Sequence, residues 1–268
     1  MFYDVLLAGL LSWNTPLLAG IISIAVAYRC LVRHSTPNKQ PHFFFLGLSL
    51  LYLTIGSPLS TISHLFFSSH MVQMSILFFI VPPFLLLGIP DYLFQRIQKI
   101  PVIKIIGKLC LAPKVALYIF AVLFLMYHLP VVLTVLSESS ILHKGYILLL
   151  FTLSFSMWWP IASPDAKQRI CKGQKKRYAM LSGMLLLPAC SLFIFNGLIG
   201  TNNPFLSQLT ADLCISPQTN PIDLLPFSIN TSLDQFMGGV FMLGLHKFGL
   251  MLTFRLGNQV HDHHSEKT

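Results

Sequence analysis

Residues 65–87 read LFFSSHMVQMSILFFIVPPFLLL, a stretch that contains no Asp, Glu, Lys or Arg. At about 1.5 Å of rise per helical residue, it is long enough to cross the hydrocarbon core of a bilayer. Its first part carries His70, Met71 and Met74, whose imidazole and thioether groups are not needed for packing alone. The stretch therefore predicts a membrane helix with candidate functional residues at one end.

The whole chain has the composition of a membrane protein. Of its 268 residues, 54% are hydrophobic and only 10% are charged, which is more apolar than a soluble domain of this size requires. The predicted spans are residues 15–33, 43–59, 65–87, 115–136, 141–159, 178–199 and 234–256. We therefore predict an all-α fold, with residues 1–268 forming a single polytopic bundle of seven transmembrane helices.

The basic residues predict how this bundle is oriented. All but two of the 18 Lys and Arg residues lie at the end of the first, third, fifth or last span or in the segment that follows it, and the exceptions are Lys144 and Lys247. The positive-inside rule makes the basic side cytoplasmic, so that the N-terminus lies outside and the C-terminus in the cytoplasm. Orientation and attraction to anionic lipid account for these loops, and they predict no nucleic-acid partner.

Histidine and methionine side chains gather at the predicted outer ends of three spans. The candidate metal ligands are His64, His70, Met71, Met74, His128 and His143. The first four share one face if the third helix begins near residue 64. Imidazole and thioether together favour Cu(I). The alternative is that these side chains only fill the bundle or satisfy one another within it.

The last predicted span carries further polar residues. Asp234 directly precedes it, and we expect this side chain to cap the N-terminus of that span, with a place in the cation site as the alternative. His246 and Lys247 lie deeper. We expect them to extend toward the cytoplasmic interface, the alternative being a polar cavity.

Short motifs are spread in order from residue 57 to about residue 240. They are Ser57-Pro58-Leu59, His70-Met71-Val72-Gln73, the run PPFLLLGIP at 82–90, His128-Leu129-Pro130, Trp158-Trp159-Pro160, and Asp234-Gln235 with Gly238-Gly239. Together they resemble the multi-span CtaG-type cytochrome c oxidase assembly factor family. The chain departs from the family pattern at Met74, where His is usual, at Tyr127, where Trp is usual, and at His143-Lys144, where Glu-His is usual.

The resemblance implies a non-enzymatic factor in the bacterial cytoplasmic membrane that helps to assemble a haem-copper oxidase. It implies a role in providing copper to the oxidase, with His70, Met71, Met74, His128 and His143 as the residues carried over. The implied partners are oxidase subunits, an outer-side copper donor protein and the lipid bilayer.

Two other functions remain open on the sequence. One is a metal-free scaffold that holds an oxidase subunit during maturation. The other is a membrane protein that interacts with haem or quinol, since paired histidines on facing helices also bind haem, although no CxxCH attachment site occurs. Enzymatic catalysis has little support, because no nucleophile–base pair and no phosphate-binding glycine loop is evident.

Overall fold

The computed structural model describes residues 13–32, 39–63, 66–99, 112–165, 168–200 and 230–265. Within these ranges no strand occurs, which confirms the all-α prediction. The helices are α1 (Thr15–Leu31), α2 (Gln40–Ile55), α3 (Pro58–Ile62), α4 (Phe67–Leu87), α5 (Asp91–Gln98), α6 (Pro113–Tyr127), α7 (Pro130–Ser137), α8 (Ser140–Ala162), α9 (Lys172–Ile199) and α10 (Thr231–Ser265).

Four of these helices are long and apolar enough to cross a membrane. They are α4, α8, the segment Gly173–Ile199 of α9 and the segment Thr231–Gly257 of α10. The apolar helices α1, α2 and α6 are shorter, with 17, 16 and 15 residues. All seven overlap the predicted spans, so hydropathy located the apolar segments correctly.

The predicted span at 115–136 is two helices rather than one. Helix α6 ends at Tyr127 and α7 begins at Pro130. A proline lacks an N–H and pushes the residue before it out of the helical conformation. Leu129 accordingly has φ −79° and ψ 135°, and the chain turns at His128.

Contacts along the helices define their relative directions. Helices α4 and α10 run parallel. Asp234, near the start of α10, accepts a hydrogen bond from the N–H of Phe67 at the start of α4. Further along both helices, Gly249 lies so close to Phe79 that an added Cβ would be 2.6 Å from the Phe79 carbonyl oxygen. We call the end that contains Asp234 the Asp234 end and the opposite end, which contains Trp159, the Trp159 end.

Several neighbouring helices run antiparallel. The contacts that show this are Trp13–Tyr52 and Tyr28–Phe44 between α1 and α2, Thr54–Gln73 and Phe43–Phe84 between α2 and α4, His70–Tyr127 and Phe79–Phe120 between α4 and α6, and Gly197–Phe236 and Gly183–Lys247 between α9 and α10. Helices α6 and α8 meet at Tyr127–His143 at one end, and at the other end the hydroxyl of Tyr178 in α9 donates to the carbonyls of both Pro113 and Met157. The connected apolar helices thus alternate in direction.

Helix α4 is the centre of the bundle. Its segment Ile76–Ile80 is a π-helix, and Pro82 and Pro83 follow it. The carbonyl of Phe78 therefore finds no donor either four or five residues further along, because both of those residues are prolines. The indole Nε1–H of Trp158 in α8 donates to this carbonyl across 3.0 Å. A side chain on a neighbouring helix thus supplies the hydrogen bond that the prolines remove.

At the Trp159 end, the connection between α8 and α9 is held by Arg169. Its guanidinium donates to the carbonyl oxygens of Ser163 and Pro164. Burial lowers the pKa of this guanidinium to about 10, while the carboxylates of Asp91 and Asp165 act to raise it. Arg169 is therefore charged at neutral pH and joins α5 electrostatically to this connection.

Candidate functional site

The side chains of His70, Tyr127 and His143 meet near the Asp234 end. The Oη atom of Tyr127 lies 3.0 Å from Nε2 of His143 and 3.4 Å from Nε2 of His70. The three residues come from α4, α6 and α8. His70 and Tyr127 are buried, whereas His143, in the first turn of α8, is half-buried. The structure therefore brings His70 and His143 together through a phenol group.

The turn at the end of α6 fixes the orientation of His128. The backbone N–H of His128 bonds to the carbonyl of Leu125 at 3.1 Å, three residues back. In a continuing helix that N–H would bond to the carbonyl of Phe124. The Phe124 carbonyl instead accepts the Nδ1–H of the His128 ring at 2.6 Å. This bond assigns the ring proton to Nδ1 and leaves the lone pair on Nε2.

The His128 Nε2 atom is buried, and no residue in the part of the chain that the structure describes forms a hydrogen bond with it. Aromatic rings surround the imidazole: Phe124 at 4.7 Å, Tyr127 at 5.1 Å and Phe193 at 5.1 Å between ring centroids. Buried polar atoms normally have a partner. The Nε2 atom of His128 is therefore the clearest candidate for a metal-ligand atom near the Asp234 end.

The two predicted methionine ligands are both buried. Met71 is 1% exposed and Met74 is 7% exposed. Met71 and Phe67 both press on Gly238, where an added Cβ would lie 3.1 Å from the Met71 Cγ. Phe67 in turn packs on Phe193, with ring centroids 4.7 Å apart. Phe193 also contacts the His128 ring, so packed side chains connect Met71 to His128.

Asp234 does not cap its own helix, and that expectation was wrong. Asn230 caps α10, because its side chain accepts the N–H of Leu233. The Asp234 carboxylate instead caps α4: it accepts the N–H of Phe67 at 2.7 Å and both the N–H and the hydroxyl of Ser68. The parallel packing of α4 and α10 places this carboxylate opposite the neighbouring N-terminus, where a negative charge is favoured. Both carboxylate oxygens are engaged there.

His246 does not extend to an interface, which was the expectation from the sequence. Its ring is 1% exposed, and Nε2 lies 2.8 Å from the Ser182 hydroxyl on α9. The ring also packs edge-on against Phe79, with centroids 4.9 Å apart. A partner at the same level of the bundle holds the imidazole in place. Lys247 is exposed, and its Nζ atom lies alongside Gly183 of α9.

The donor set suits a soft ion better than a hard one. Among the described residues, no group of three or more His, Cys, Asp or Glu side chains could hold a metal ion. The donors near the Asp234 end are instead imidazole nitrogens, buried thioethers and one phenol oxygen. His and Met donors fit Cu(I) in chemical type. His64, the remaining predicted ligand, lies outside the described residues.

Sequence reasoning noted Tyr127 only as a departure from a motif, and it missed the contacts of Gln73. Gln73 accepts a hydrogen bond from Ser63 and donates to the carbonyl of Thr54 at 2.7 Å. Its role is to tie α4 to the end of α2. The signal for Tyr127 was its position directly before His128, since adjacent residues in a helix point about 100° apart and both can border one site.

The comparisons with known proteins agree with the motifs. Residues 23–256 match the family model described as cytochrome c oxidase caa3 assembly factor (Caa3_CtaG). No curated protein and no solved structure matches the chain. Because the match extends over most of the 268 residues, the chain belongs to the cytochrome c oxidase caa3 assembly factor family.

Proposed function

We propose that this protein assists the assembly of a haem-copper cytochrome c oxidase by binding Cu(I) inside the bundle and providing it to oxidase subunits. The family supports a non-catalytic role in oxidase assembly. The observation that carries the copper part is His128. A ring whose Nδ1–H is held by a backbone carbonyl, with Nε2 left open, has the orientation that metal-ligating histidines commonly have.

In this proposal, Met71 and Met74 on α4 would provide soft donors in addition to His128. Their thioethers are buried in the same apolar cluster as the aromatic rings around the imidazole. Cu(I) favours such ligands, and a dry apolar shell limits water access to the ion. Asp234 is not included in this set, since both of its oxygens cap α4. The ion is cargo received from a donor protein on the outer side and passed to the oxidase.

The proposal places the protein in the bacterial cytoplasmic membrane with seven spans, the N-terminus outside and the C-terminus in the cytoplasm. The alternating directions of α1, α2, α4, α6, α8, α9 and α10 support this count. Basic residues support the orientation, since Arg29, Arg96 and Arg169 all lie toward the Trp159 end. The Asp234 end, with the candidate copper ligands, would then face outward.

Native cysteines provide a test of the orientation. Cys171 is free and exposed at the Trp159 end. In a variant that keeps only this cysteine, a membrane-impermeant thiol reagent should label the protein after the cells are permeabilised and not before. Labelling in intact cells would reverse the proposed orientation.

Copper binding is tested by metal analysis of protein purified from copper-supplemented cells. We expect wild-type protein to retain stoichiometric copper as Cu(I), and we expect His128→Ala and the double variant Met71→Leu/Met74→Leu to lose it. The control is Met180→Leu/Met184→Leu, which also removes two thioethers from one helix, but from side chains that are each 63% exposed. This control should retain the copper.

Two observations together would contradict copper delivery. If wild-type protein contains no copper, and His128→Ala still restores oxidase activity to a deletion strain, the metal-free scaffold is the better account. A visible spectrum without a Soret band would exclude haem as the occupant.

A further inference from the structure

We propose that α4, α9 and α10 enclose a binding site for one water molecule, which is held between the hydroxyl of Ser75 and the Nδ1 atom of His246. Neither residue belongs to the proposed Cu(I) set, and the site does not depend on copper. Ser75 is 0% exposed and His246 is 1% exposed. Within the residues that the structure describes, neither the Ser75 Oγ atom nor the His246 Nδ1 atom forms a hydrogen bond.

Two close approaches between α4 and α10 show where Ser75 lies. An added Cβ at Gly238 would be 3.1 Å from the Met71 Cγ, and one at Gly249 would be 2.6 Å from the Phe79 carbonyl oxygen. Ser75 is four residues after Met71 and four residues before Phe79. Residues one helical turn apart share a face of the helix. Ser75 therefore faces α10 between the two points of approach.

His246 borders the same interval from α10. It lies three residues before Gly249, and its ring packs edge-on against Phe79 with centroids 4.9 Å apart. The Ser182 hydroxyl on α9 donates to His246 Nε2 across 2.8 Å, which is its one hydrogen bond within the described ranges. With Nε2 as the acceptor, the ring proton is on Nδ1. His246 thus offers an N–H to the interface in which Ser75 carries an unpaired hydroxyl.

Water is the ligand that satisfies both groups. Buried N–H and hydroxyl groups normally have a partner, and the hydrocarbon around a membrane bundle supplies none. A buried water usually joins two to four such groups. Here it accepts the Nδ1–H of His246 and shares a second hydrogen bond with the Ser75 hydroxyl. The water then links α4 to α10 and, through His246, to α9, directly beside the π-helix Ile76–Ile80.

The test is the stability of full-length Ser75→Ala, measured by reversible unfolding in mixed detergent micelles. Loss of the water-mediated bond should lower the folding equilibrium constant by about threefold. In a His246→Phe background, where no Nδ1 remains, the same substitution should cause no loss. The matched control is Ser154→Ala. Ser154 is also 0% exposed, but its hydroxyl donates to the Phe151 carbonyl of its own helix, so its effect should be equal in both backgrounds.

The other outcomes overturn the inference. Unchanged or increased stability of Ser75→Ala would show an unpaired hydroxyl in a dry interface, because removal of such a group does not destabilise. An equal loss in both backgrounds would show that the hydroxyl bonds within α4.

A direct contact between Ser75 and His246 would give the same result in these unfolding measurements as a water, so a high-resolution density map of the wild-type protein completes the test. The map should show a peak within about 3 Å of both Ser75 Oγ and His246 Nδ1, and that peak should be missing from Ser75→Ala. A map in which the two side chains touch directly, or in which no peak lies between them, refutes the water site.

Discussion

Replacing Trp158 by phenylalanine removes a buried hydrogen-bond donor from the centre of the bundle. Trp158 is 1% exposed, and its indole N–H is the donor to the carbonyl of Phe78. The backbone cannot replace that donor, since the residues four and five positions further along are Pro82 and Pro83. The variant therefore leaves a buried carbonyl without a partner.

The expected loss of stability depends on how completely the Phe78 carbonyl is left without a donor. A buried acceptor left without a donor costs about 1–3 kcal/mol. Interhelical hydrogen bonds in membranes average only about 0.6 kcal/mol, because the unfolded helices find other partners in the bilayer. The Phe78 carbonyl has few alternatives even in an isolated α4. We therefore expect Trp158→Phe to lower the free energy of unfolding by about 2 kcal/mol, including the smaller ring.

The measurement is reversible unfolding in mixed detergent micelles, with Trp159→Phe as the control. Trp159 is the adjacent residue and loses the same atoms, but it is half-buried and its indole N–H bonds to Gln168 in an exposed connection. Water can replace that partner, so the control should cost less than about 1 kcal/mol.

A double-mutant cycle tests the cause. Pro82→Ala returns a backbone N–H four residues after Phe78, and in that background the loss caused by Trp158→Phe should shrink. The cycle cancels the cost of the smaller ring, which is present in both backgrounds. If Trp158→Phe costs no more than Trp159→Phe, or costs the same with and without Pro82, the reasoning is wrong.

Three further predictions concern the packing near the candidate sites. Asp234→Asn should lower the free energy of unfolding by about 1 kcal/mol, because it removes the charged cap on α4. Metal analysis should find the copper content of this variant unchanged. Loss of copper without loss of stability would instead make Asp234 a ligand. Gly238→Ala should destabilise the bundle, because its new Cβ would lie 2.6 Å from the Phe67 ring, whereas Gly145→Ala, with nothing within 4 Å of the added Cβ, should be neutral or slightly stabilising. Ser182→Ala should cost about 1 kcal/mol in the same unfolding assay, since it removes the partner of His246; an unchanged stability would show that this bond contributes nothing.

Most of the fold could be predicted from the sequence because hydropathy is a local property. Every long apolar helix coincides with an apolar run in the chain, and the family match at residues 23–256 covers the region that carries the motifs. The end of α6 was placed too late by the same method. A hydrophobicity pattern continues through residues 130–136, but the proline at 130 stops the helix whatever the polarity of the residues that follow.

The site was predicted less well because it depends on which side chains face each other across helices. The histidines at 70, 128 and 143 were correctly expected near one level, yet their partners were not. Tyr127 joins two of them only because α6 packs between α4 and α8. Asp234 reaches the N-terminus of α4 only because α4 and α10 are parallel, a relation that no spacing within one helix contains.

Proline and its consequences link the fold to the candidate chemistry. Pro82 and Pro83 deprive the Phe78 carbonyl of a helical donor, and a side-chain N–H from Trp158 takes that place. The turn before residue 130 frees the Phe124 carbonyl in a similar way, and the Nδ1–H of His128 takes it. In the first case the result is only stability. In the second it also fixes a tautomer and directs an open Nε2 into the bundle, so the same backbone break that ends α6 creates the donor on which the copper proposal depends.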